Sequence, residues 1–173
     1  MAVSFDDLSI AFEQELSAPG SRSLRRLGEI YDDYILELER IPEAVWAFYS
    51  KLFRTPTVLA RRGLEHFLLE MNSDLEKYSA AQLQEFLTIL GENISRMEHE
   101  IARHAAGDFV ARCYPPQIAF RTFQAWSRKH PRDQHAAFVG LDVLKHRDHE
   151  LTEAVSALRA SLLERHNDWV DKS

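Results

Sequence analysis

Cysteine occurs once in the 173 residues, and glycine and proline only six times each. A single thiol, Cys113, excludes a disulfide framework within the chain and any zinc site of the CxxC kind. No apolar run approaches the ~20 residues of a membrane-spanning helix. The opening stretch MAVSFDDLSIAFEQEL is acidic and unlike a secretory leader, so a cytoplasmic location is expected. Phosphate-cradling and catalytic signatures are also missing. There is no Walker A loop, Gly-x-Gly-x-x-Gly turn, Gly-x-Ser-x-Gly elbow or calcium-binding loop. Nucleotide hydrolysis and serine-type catalysis are therefore disfavoured, and Cys113, beside Tyr114-Pro115-Pro116, reads as packing rather than a nucleophile. These absences point away from an enzyme and toward a chain that needs no cofactor.

What is present is ordinary for a globular protein: 45% hydrophobic and 28% charged residues, with a net charge of −6. The excess lies in the first fifty residues. There ten acids (Asp6, Asp7, Glu13, Glu15, Glu29, Asp32, Asp33, Glu37, Glu39, Glu43) face four bases, and the remainder of the chain is balanced. Such a patch either keeps a helix face solvated or steers a basic partner. The basic clusters are short. One of them, Arg121/Arg128/Lys129/His130/Arg132, is interleaved with Phe123 and Trp126, but the spacing of Phe120, Phe123 and Trp126 reads first as a core stripe. Direct nucleic-acid binding is disfavoured by the acidic total.

Helical periodicity fills the spaces between the prolines and glycines, and no segment alternates like a strand. The expectation is an all-α protein of about eight helices. Ser4 caps the first, and Ala18-Pro19-Gly20-Ser21 ends it. Leu24, Leu27, Tyr31, Tyr34 and Leu38 stripe the second, leaving Glu29, Asp32, Asp33, Glu37 and Glu39 outward. A third spans Glu43 to about Arg54 and a fourth about 57–71. Ser79 caps a long fifth helix, Ala80 to about Ala106, striped by Leu83, Leu87, Leu90, Ile94, Met97, Ile101 and His104. Gly107 ends or bends it. Three more follow: about Gln117–Lys129, one capped by Asp133 and running to about His146, and one from Asp148 to about His166.

The segments Ala60-Arg61-Arg62-Gly63-Leu64-Glu65 and Ala137-Phe138-Val139-Gly140-Leu141-Asp142 share the pattern Ala-x-x-Gly-Leu-acid. A helix-interior glycine costs ~1 kcal/mol relative to alanine, so its recurrence suggests close helix crossings. Pro42-x-x-Val45-Trp46-x-x-Tyr49 parallels Pro116-x-x-Ala119-Phe120-x-x-Phe123 upstream. The expected organisation is one all-α domain over 1–173, with acidic N-terminal helices in 1–40. Two echoed helical-hairpin units, 41–106 and 107–173, would stack in the manner of an α-solenoid.

The functional expectation is a non-enzymatic protein-binding protein. In its most concrete form it is an immunity- or antitoxin-type inhibitor that meets a basic partner through Glu29, Asp32, Asp33, Glu37, Glu39 and Glu43. A second reading is a helical-bundle metalloprotein or oxidoreductase with Glu100, His104, His146 and His149 as ligands. Glu100 and His104 lie one turn apart on a helix, although Glu-x-x-His is not duplicated and His-Glu-x-x-His is absent. His104 also sits in the apolar stripe, where Asp108 could pair with it. A third reading is an adaptor or regulator that dimerises; the 83–104 stripe could make a dimer seam but reads first as the central core helix.

Overall fold

A computed structural model describes residues 3–18 and 22–166. Among them the chain is all-α, with ten helices and no strand. They are α1 (Phe5–Ser17), α2 (Arg25–Ile35), α3 (Glu43–Leu52), α4 (Pro56–Leu59), α5 (Leu64–Ser73), α6 (Ala80–Asn93), α7 (Glu100–Cys113), α8 (Pro116–Trp126), α9 (Pro131–Leu144) and α10 (Thr152–Arg165). Contacts divide the chain into two units, Met1–Ala102 and Arg103–Ser173. The division falls in the first turn of α7, an unbroken helix described here with the second unit. The expected break at Pro19-Gly20-Ser21 lies outside the described residues.

Local chemistry explains several starts. Ser4 and Ser79 each cap reciprocally: the hydroxyl accepts from the backbone three residues on, and the Asp7 or Gln82 side chain reaches back to the cap's own N–H. Pro56, Pro116 and Pro131 open α4, α8 and α9, where a missing N–H costs nothing. Asp133 does not cap α9 as expected. His130 does, its Nδ1 accepting from the Arg132 N–H at 3.1 Å, and Asp133 lies buried in the first turn. Nor does Asp148 cap the last helix: its carboxylate accepts from Glu150 N–H at 2.8 Å in the turn before α10.

Two expected helices are split. The segment 57–71 breaks because Gly63 adopts φ +91°, a left-handed conformation between α4 and α5. A Cβ there would meet the backbone nitrogens of Arg25 and Leu24 at 2.9 and 3.0 Å, so the chain entering α2 occupies that space. The expected 80–106 helix is two helices separated by a 3₁₀ turn, Ile94–Arg96, and an extended Met97. Its apolar stripe continues in sequence but not in space: Met97 is fully buried, whereas Ile101 is 59% exposed. Within α6 the inward face is Gln82, Phe86, Ile89, Leu90 and Asn93 rather than Leu83 and Leu87. Phe86 takes the core position because it completes an aromatic cluster.

That cluster is the core of the first unit. Phe12, Tyr31, Trp46, Tyr49, Phe53, Phe67, Tyr78 and Phe86 pack with neighbouring ring centroids 5.0–6.4 Å apart. Their polar atoms are satisfied. The Tyr31 and Tyr78 hydroxyls share a 2.8 Å hydrogen bond, Tyr49 donates to the Phe67 carbonyl at 2.7 Å, and Trp46 Nε1 donates to Glu85 at 2.7 Å.

Glycine scarcity leaves a problem at the other helix ends, since no helix among the described residues stops on a left-handed residue. Distant cations serve instead. Arg61, only 3% exposed, donates to the Glu15 carbonyl (3.0 Å) in the last turn of α1, to the Arg22 carbonyl (2.7 Å) and to the Glu15 carboxylate. Lys77 donates to the Ile35 carbonyl at the end of α2 (3.0 Å). In the second unit Arg147 donates to the Ala111 and Tyr114 carbonyls at the end of α7, and Arg165 to the Ser127 carbonyl after α8. Each places positive charge where the helix dipole is negative.

The second unit turns on Gly107 and Gly140, both helix-interior. A Cβ at Gly107 would lie 2.2 Å from the Ala136 carbonyl oxygen and 3.1 Å from Gly140 N, and one at Gly140 would lie 2.2 Å from Phe123 Cζ. The glycine of the second echoed segment thus marks the close crossing expected of it, of α9 against α7, and Gly107 does not end its helix, which continues to Cys113. Gly63, its counterpart in the first segment, sits at a turn, so the two echoed segments have different local structures. Gly107→Ala is expected to destabilise the protein by about 1–3 kcal/mol, because a rigid backbone carbonyl must move. Gly28→Ala, whose Cβ would find His66 and Phe67 at ordinary distances of 3.7 and 3.9 Å, is expected to be neutral or to stabilise by up to ~1 kcal/mol. Urea unfolding of both variants checks the contrast.

Candidate functional site

The acidic residues of α2 and the turn beyond it are not equivalent. Glu29 is exposed and paired with Arg25 one turn earlier, 3.1 Å away. Asp33, Glu37 and Glu39 are exposed, the last two beyond the end of the helix at Ile35. Glu43 opens α3 and accepts from Gln82 Nε2 at 3.2 Å. Asp32 differs from the outward placement expected of it, being half-buried. Helices α2 and α5 pack through Gly28, which faces His66 and Phe67. One turn further along both helices, Asp32 comes under the influence of Glu70, and of Asp74 beyond it. Its Oδ1 is shielded from water and accepts no hydrogen bond. Burial first, then the negative charges of Glu70, Asp74, Asp33 and Glu29, push the Asp32 carboxyl up to about 7. Asp74 has its own cation in Lys77 at 2.9 Å.

The histidines and carboxylates named as possible metal ligands are only partly brought together. His146 and His149 are exposed in and beyond the turn after α9. His146 lines a groove of about 530 Å³ with Arg112, Asp142, Val143 and Arg147, and the Asp142 carboxylate there lies 3.2 Å from Arg159 and 3.9 Å from Lys145. His104 does not use Asp108, which is held bidentately by Arg112 Nε at 2.8 and 2.9 Å. It meets His135 of α9 instead, with Nε2 to Nε2 at 3.2 Å and ring centroids 4.8 Å apart. Glu100, one turn before His104 on α7, completes a group whose ligand atoms all lie within 4.8 Å of one another. His135 is only 8% exposed, His104 half-buried and Glu100 exposed, so the group runs from the interior outward. His135 was not singled out in the sequence. The signal that could have found it is the pair of helix-interior glycines, each three to five residues after a histidine.

Cys113 is half-buried, and its thiol is pushed up to about 11, mainly by burial and then by Asp108. It is a poor nucleophile in this setting. Phe123 and Trp126 are buried core residues and Phe120 is half-buried, while Arg121, Arg128, Lys129 and His130 are exposed and Arg132 is half-buried, so the stripe is met at two of its three positions. No helix among the described residues is long and apolar enough to cross a membrane.

Compared with family models, with curated proteins and with solved structures, the chain gives no significant match.

The folded chain keeps a proton on Asp32 up to about pH 7, whereas an unfolded aspartate releases it near 4. Stability contributed at this site is therefore present at low pH, falls as pH rises between those values, and stays low above them. Asp32→Asn is expected to raise stability above pH 7, by about 1 kcal/mol once solvent screening of a half-exposed group is allowed for. It should also flatten the pH dependence of urea unfolding between pH 4 and 7.

Proposed function

We propose that this protein is a non-enzymatic binding protein whose partner is a basic polypeptide, met by the acidic surface of α2 and the turn after it. The supporting observation is Asp32, a half-buried carboxylate among other carboxylates, with one oxygen that accepts no hydrogen bond. Such an arrangement costs stability in the isolated chain, and an arriving guanidinium or ammonium group would relieve it. Asp33, Glu37 and Glu39, exposed around it, would steer that group from a distance and raise the association rate. The inhibitor form of this reading has the acidic surface covering a basic functional site on a toxin-like partner.

The test is capture of partners at low salt by the wild-type chain and by Asp33→Lys/Glu37→Lys/Glu39→Lys, whose sites are exposed and leave the fold intact. The reading expects a basic polypeptide that rebinds in purified form with defined stoichiometry. Its association should slow at least about tenfold in the triple variant and weaken with added salt. An association rate unchanged by charge reversal at low salt overturns it. A doubled native mass with no basic partner would favour the dimeric adaptor instead.

A further inference from the structure

The geometry points to a divalent transition-metal site formed by Glu100, His104 and His135, with zinc as the ion it fits best. The donor set comes first. Two imidazole nitrogens and one carboxylate oxygen suit zinc and its neighbours, whereas magnesium and calcium require oxygen alone. Spacing comes next. Two nitrogens bound at 2.0–2.1 Å to one tetrahedral zinc stand about 3.3–3.4 Å apart. Here the two Nε2 atoms stand 3.2 Å apart, so almost no movement of either ring is required. The ring centroids stand 4.8 Å apart, farther than the two nitrogens, so both Nε2 atoms lie on the facing sides of their rings. Glu100 supplies the third ligand from the solvent side, its carboxylate oxygen already within 4.8 Å of both nitrogens.

Support for the rings comes from the backbone. His104 is three residues before Gly107, and His135 adjoins Ala136, whose carbonyl fills the space a Cβ at Gly107 would take. The close crossing of α7 and α9 therefore fixes the separation of the two imidazoles. In the metal-bound form both rings carry their proton on Nδ1 and offer Nε2 as a lone pair, which ends the direct contact between the two nitrogens. Three protein ligands leave the fourth tetrahedral position open to water on the Glu100 side, the arrangement that polarises a bound water or another small oxygen ligand. Neither His146 nor His149 takes part.

The full chain, stripped with a chelator and dialysed, is titrated with zinc chloride by calorimetry and with cobalt chloride by visible absorption. One zinc per chain is expected, with intense cobalt bands of a four-coordinate N/O site and no heat from magnesium chloride. Glu100→Gln changes an exposed residue, and it should weaken zinc binding at least about tenfold, since loss of a mere supporting contact already costs that much. His104→Gln should abolish binding with an unchanged circular dichroism spectrum, and His149→Gln should leave it intact. Failure to bind zinc, or binding that survives Glu100→Gln at full strength, overturns the assignment. So does binding lost in His149→Gln. None of these outcomes depends on the acidic surface or its partner.

Discussion

Two helix backbones in the second unit touch because neither carries a side chain where they meet. Gly107 lies against the Ala136 carbonyl, and Gly140 against the Phe123 ring. Alanine is the better helix former at both places, so the local preference of each helix is overridden by the packing of the pair. Much follows from that approach. Phe123 is buried beside Trp126 at a centroid distance of 5.6 Å, and α8 lies against α9 around it. His104 and His135 are drawn to within a hydrogen bond of one another. A wider crossing would separate the imidazoles and leave two unrelated histidines on two helices.

The first unit relies on a different material. Eight aromatic rings meet edge to face, tilted or, for Trp46 and Tyr49, stacked, and their hydroxyl and indole groups end on carbonyls, on one another or on Glu85. Rigid rings of this size bury large apolar areas with few rotatable bonds. Against that satisfied interior, Asp32 is conspicuous as a carboxylate held among carboxylates.

The helical class, the caps at Ser4 and Ser79 and the burial of Phe123 and Trp126 were legible because each depends on neighbours within a turn or two. The long helix over 80–106 was misread for a reason of the same kind. Leu90, Ile94, Met97 and Ile101 keep a regular spacing, yet burial of Met97 and exposure of Ile101 are decided by packing that periodicity does not contain. Gly63 and Gly140 look alike in their sequence contexts and differ in the backbone, one turned left-handed by the chain entering α2, the other pressed into a crossing. At the histidine site two of three residues stood out, Glu100 and His104, from their spacing on one helix. His135 comes from another helix, and only the crossing brings it in.

Many helices signal their own end with a glycine one residue past the last turn. In this chain the signal for α1, α2, α7 and α8 is written elsewhere: in Arg61, Lys77, Arg147 and Arg165, which lie 33 to 46 residues from carbonyls they hold. Termination is thereby made in part a tertiary event. Beside the local bonds at these ends, docking of a distant segment adds a partner to their last carbonyls, and fraying there gives that partner up. Local opening at a helix terminus and cooperative opening of its unit become coupled. The same dependence narrows the chain's evolutionary freedom, since an insertion anywhere between a cation and its helix must still deliver the charge to the same carbonyls.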